Sequence, residues 1–109
     1  MTGWGVLHDG DNTSPVNLQG ATVKLIDKEE CVESYGSAIT ERMFCAGVDG
    51  GGVDSCQSDS GGPLQVDGIL AGIVSYGFGC ALPDSPGVYT NVSVVLDFIN
   101  EITGLGGRW

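Results

Sequence analysis

At 109 residues, 41% of them hydrophobic, the chain is long enough for one domain with one core, and near the small end for burying that core efficiently. Fourteen acidic residues against four basic ones give a formal charge of -10, a field that repels phosphate backbones and anionic lipid and argues against nucleic acid or a membrane surface as partner. No apolar run approaches the ~20 residues of a membrane span. The first residues have neither the basic nor the hydrophobic region of a secretion leader, so any such signal is expected upstream of them.

Nineteen glycines and four prolines punctuate the sequence every few residues, which suits short strands joined by tight turns and predicts an all-β fold. In chain order, "ATVKLI" (21–26) alternates like a half-buried strand. Asp27 then offers an N-cap, with Glu30 three residues on as a capping box, for a short helix through "KEECVESY". "MFCAG" (43–47) begins another strand. "PLQV" and "ILAGIVSY" flank Asp67-Gly68, a dipeptide that tolerates the positive φ angles of a type I′ hairpin. "GVYTNV" (87–92) forms a further strand. Ser93 is placed to cap a terminal helix in which Val95, Phe98, Ile99 and Ile102 recur at helical spacing before Gly104 stops it; that stripe is expected to pack on the core. The domain is expected over 1–103, with 104–109 as a tail.

Cys31, Cys45, Cys56 and Cys80 show no Cys-x-x-Cys spacing, so two disulfides formed in an oxidising compartment, rather than a metal site, are expected. Spacing leaves all three connectivities of four cysteines open. Asn12-Thr-Ser and Asn91-Val-Ser are glycosylation sequons, which fit secretion. No cofactor motif is present.

The stretch "DSCQSDSGGPL" (54–64) surrounds Ser60 with small residues. Gly61 and Gly62 leave room for a substrate to approach the hydroxyl, and such a turn can aim backbone N–H groups at one oxygen, the arrangement that stabilises an oxyanion. A serine hydroxyl is a weak nucleophile without a base, and the only histidine is His8.

The order of these residues closely resembles the active-serine segment of the chymotrypsin/trypsin serine proteases. "TGWG" (2–5), Cys31, "MFCAG", "GIVSYGFGCA" (72–81), "PGVYTNV" (86–92) and "DFI" (97–99) follow in the family's order. The resemblance implies the second of the family's two barrels: a six-stranded antiparallel Greek-key barrel with a short intermediate helix and a C-terminal helix. It implies that Ser60 is the nucleophile, with the Ser58 and Ser60 N–H groups as oxyanion hole, and that Cys31 pairs with Cys45 and Cys56 with Cys80. Asp54 takes the place of the acid at the floor of a specificity pocket for Arg or Lys, since a desolvated carboxylate there is left unpaired by an apolar side chain. Gly77 and Gly87 match the pocket walls. Ser55 adds a hydroxyl near the cation, while Ser75, Tyr76, Gly77 and Gly79 offer backbone and an aromatic face to an extended peptide. Asp59 matches the acid that pairs with a freed amino terminus in activated relatives.

Two departures qualify the resemblance. His8 lacks the "AAHC" context of the family's catalytic histidine, so the base and its aspartate are expected on an N-terminal barrel. Ser58 stands where relatives carry glycine. The implied function is therefore a secreted Arg/Lys-specific endopeptidase half, nearly inert alone, and the alternative is a non-catalytic module that binds basic peptides. A barrel separated from its partner is also expected to expose an apolar face and self-associate.

Overall fold

The computed structural model describes residues 1–7, 10, 12–48, 59–77, 80 and 86–104. Its strands are β1 (Thr2–Gly3), β2 (Gln19–Gly20), β3 (Lys24–Ile26), β4 (Met43–Gly47), β5 (Pro63–Val66), β6 (Ile69–Tyr76) and β7 (Gly87–Asn91). Two helices, α1 (Lys28–Tyr35) and α2 (Leu96–Thr103), fall where the sequence places them, each next to a short 3-10 turn.

Strict alternation in β4 and β7 buries both faces of the sheet. Cys45 lies opposite Val88, and with Cys31, Tyr35 and Ile39 they form a cluster beneath α1. Phe44 lies opposite Tyr89, their rings stacked at 5.5 Å, and Tyr89 joins Ala46, Leu64 and Val74 in a second cluster on the other face. Because side chains alternate with period two, a one-residue slip in this register would exchange the two clusters. The Cys31–Cys45 disulfide, with Cα atoms 5.7 Å apart, staples α1 to β4 inside the first cluster.

The main sheet is antiparallel in the order β3-β4-β7-β6-β5, and β1 pairs with β2 in a separate ribbon that abuts β5. The result is a curled antiparallel sheet, the architecture expected of a barrel. The β5–β6 hairpin is the type I′ turn its dipeptide predicts, with φ 50 at Asp67 and φ 79 at Gly68.

Four local expectations are corrected. The strand read over 21–26 is regular only from Lys24, because Ala21 still exchanges backbone bonds with Met1 beside β1 and pairing with β4 begins at Lys24. Asp27 is the N-cap of α1, but its side chain makes no capping bond; Glu29 and Glu30 still place negative charge at the helix's positive end. Ser93 does not cap α2: a 3-10 turn over Val92–Val95 intervenes, Val95 is the N-cap, and the Ser93 hydroxyl donates to Asn91 Oδ1 at 2.8 Å. The α2 stripe is not core within this chain, since Phe98 is 66% and Ile102 70% exposed while Val95 and Ile99 are half-buried.

Candidate active site

Ser60 sits at the corner of a tight turn. The Gly62 N–H donates to the Asp59 carbonyl at 2.9 Å, and Gly61 between them has φ 84, the positive angle that the third position of a type II turn demands. Two further bonds pin the turn to β6: Gly61 N–H donates to the Val74 carbonyl at 2.8 Å, and Val74 N–H to the Gly62 carbonyl at 3.0 Å. Glycine is needed at both positions for different reasons. Gly61 supplies the left-handed backbone, whereas a β-carbon on Gly62 would lie 2.9 Å from the Asp59 carbonyl oxygen.

The hydroxyl this turn presents is exposed, and it donates to the carbonyl of Ser75 at 3.3 Å. That carbonyl is available because Ser75 is the extra residue of a β-bulge: Val74 pairs with Tyr89 and Tyr76 with Val88, leaving Ser75 unmatched. Bulges re-aim the backbone beside the ladder, and here the residue freed from pairing faces the serine.

Asp59 is held on the opposite side of the turn. Its Oδ1 accepts the Gly5 N–H at 2.8 Å, and a β-carbon on Gly3 or Gly5 would run into the carboxylate. The Thr2-Gly-Trp-Gly segment is thus a socket whose two glycines exist to admit one carboxylate, and the residue so held is the neighbour of Ser60.

Beyond Ser60, Ser75, Tyr76 and Gly77 form an exposed ledge at the end of β6. Tyr76 meets the ring of Tyr35 edge-on, with centroids 5.8 Å apart, and its hydroxyl lies 3.8 Å from Met43 Sδ. Tyr35 in turn donates its hydroxyl to the Pro86 carbonyl. Gly87, buried at the start of β7, follows directly. The structure therefore gathers Ser60, Ser75, Tyr76, Gly77 and Gly87 at one end of β6 and β7. The roles of Gly3, Gly5 and Tyr35 were not legible, because each acts through a partner at least 50 positions away.

Asp54, Ser55, Cys56, Ser58, Gly79 and His8 lie outside the described residues. Cys31 and Cys45 are joined as expected, and Cys80 is itself disulfide-bonded. Among the described residues, no group of three or more His, Cys, Asp or Glu side chains converges as metal ligands would.

Comparison with known proteins places this geometry. A family model described as Trypsin matches residues 1–99. A trypsin of Tyrophagus putrescentiae is 55% identical over 102 residues, covering 91% of this chain and 36% of that relative. Trypsin-1 of Astacus astacus is 53% identical over 91% of this chain and 44% of its own length. The solved structure of neuropsin, a serine protease expressed in the limbic system of mouse brain, superposes with a TM-score of 0.89 at 41% identity, covering 94% of this chain and 46% of that one. The chain thus spans less than half the length of each of these relatives.

Proposed function

The chain belongs to the trypsin family of serine proteases, and from that membership we propose that it is the nucleophile-bearing barrel of an endopeptidase that cleaves after Arg or Lys. The observation that carries the proposal is the exposed Ser60 hydroxyl, on a glycine-flanked turn pinned to the Ser75 ledge. In the reaction Ser60 Oγ attacks the scissile carbonyl carbon as its proton passes to a base. The developing oxyanion is held by the N–H groups of Ser58 and Ser60. The ledge at Ser75–Gly77 receives the substrate backbone as an added strand.

Asp54 is the proposed selector of a cationic side chain entering beside Ser55, with Gly77, Gly79 and Gly87 keeping the way open. The base is proposed to be a histidine, oriented by an aspartate, on an N-terminal barrel. His8, the only histidine present, stands between Leu7 and Asp9 in a setting unlike that base. Losing triad members leaves only the residual catalysis of binding and oxyanion stabilisation, so the chain alone is expected to be nearly inert. Export to an oxidising space is proposed from the disulfides. Rat transmembrane protease serine 9, 48% identical, is a relative whose name records a membrane anchor; no described helix here is long and apolar enough to cross a bilayer.

A fluorophosphonate probe applied to the chain joined to an N-terminal barrel is expected to modify Ser60 and to leave Ser60→Ala unmodified. Absence of labelling beside a reactive trypsin control would overturn the proposal. Ser58, at the proposed oxyanion hole, favours a second reading, a non-catalytic module that uses the same pocket to hold basic peptides. Benzamidine binding without labelling would select that second reading, and turnover of an Arg or Lys substrate would exclude it.

A further inference from the structure

The two Asn-x-Ser sequons fall in opposite settings. Asn91 ends β7, where its N–H donates to the Arg42 carbonyl at 2.8 Å and its residue pairs with Gly72. Its side-chain oxygen accepts the Ser93 hydroxyl at 2.8 Å, so the asparagine and the serine of the triplet engage each other. Val92 between them is buried, and Asn91 borders an apolar groove lined by Val23, Leu25, Phe44 and Val66. Asn12, Thr13 and Ser14 are all exposed and lie outside any strand or helix. The same connection carries Leu7, Val16 and Leu18, each more than half exposed.

We infer that Asn12 is an N-glycosylation site and that Asn91 is a structural residue that is not modified. Transfer requires the triplet to leave regular structure and wrap around the asparagine amide. The Asn12 segment does this without breaking a bond of the sheet, whereas the Asn91 segment would give up its ladder position and its bond to Ser93. In the reaction Asn12 Nδ2 attacks the anomeric carbon of an oligosaccharide linked to a lipid pyrophosphate. The nitrogen–carbon bond forms, the carbon–oxygen bond to the pyrophosphate breaks, the lipid pyrophosphate departs with the electron pair, and the amide nitrogen yields one proton to the transferase. Pro15 confines Ser14 to extended backbone, so occupancy at Asn12 is expected to be partial and to rise in Pro15→Ala.

The full chain, given a secretion leader and expressed in insect cells, tests this. Enzymatic glycan removal in heavy-oxygen water converts a modified asparagine to a mass-labelled aspartate. The label is expected at Asn12 and not at Asn91. The gel shift on glycan removal should vanish in Asn12→Gln and in Ser14→Ala and persist in Asn91→Gln. Reading the intracellular as well as the secreted pool keeps a poorly folding variant informative, because transfer precedes export. Label at Asn91, or at neither position in both pools, overturns the inference.

Discussion

At the scale of single residues, the socket for Asp59 is the most constrained contact near the serine. The carboxylate occupies space that any side chain at Gly3 or Gly5 would need, and the Gly5 N–H binds it at 2.8 Å. Gly5→Ala is therefore expected to lower unfolding stability by about 1–3 kcal/mol, as overpacking does, measured by urea denaturation. Ser60→Ala removes only an exposed hydroxyl with a long bond, and should stay within about 0.5 kcal/mol of the parent in the same experiment. A Gly5→Ala variant as stable as the parent would show that Asp59 is held elsewhere. A large loss in Ser60→Ala would mean that the serine has been given to folding rather than to chemistry.

Among the elements, the β5–β6 hairpin and α2 show opposite relations between local sequence and environment. Asp67 and Gly68 both adopt positive φ, so the turn is written in the dipeptide itself. Gly68→Ala forces a β-carbon into the left-handed region and should cost about 1–2 kcal/mol, whereas Asp67→Asn, which tolerates that region, should be neutral; thermal unfolding of the pair separates them. The α2 helix repeats apolar residues correctly yet buries none of them fully, because nothing within the described residues covers Phe98 and Ile102. We therefore expect Phe98→Ser with Ile102→Ser to leave stability nearly unchanged and to reduce self-association, read by sedimentation. If the parent is monomeric at high concentration, that exposed face does not drive association.

For the molecule as a whole, a covalent cross-link and the placement of the basic residues govern resistance to unfolding and to proteolysis. Cys31 and Cys45 close a loop of 14 residues, worth about 3 kcal/mol in the chain-entropy description, and the Cys31→Ala with Cys45→Ala variant should lose about that much in denaturant titration. The three basic residues among those described lie in segments whose backbone is engaged. Lys24 lies in β3, Lys28 opens α1, and the Arg42 carbonyl is engaged by Asn91 N–H. Limited digestion with an Arg/Lys-specific protease should leave the segment from residue 1 to 104 intact, under conditions where a protease with apolar specificity cuts beside the exposed Leu7 or Leu18. A cut after Lys24 or Arg42 in the folded chain would show that these segments open readily.

The sequence by itself determined the all-β class, the presence of both helices, the β5–β6 hairpin and the kinship with the trypsin family. Each of these is encoded by neighbours: alternation in "MFCAG", an Asp-Gly pair, a motif of eleven consecutive residues. Tertiary structure decided the Asp59 socket, the Tyr35–Tyr76–Met43 contact, the bulge that turns Ser75 toward Ser60, and the exposure of α2. These depend on which distant segment arrives at a position, and the local failures have the same origin. Asp27 and Ser93 both carry the right chemistry for caps, yet Asp27 holds the N-cap position of α1 without a side-chain bond, and a 3-10 turn moves the start of α2 past Ser93. Periodicity records which side of an element is apolar; only the assembled fold determines whether anything is there to meet it.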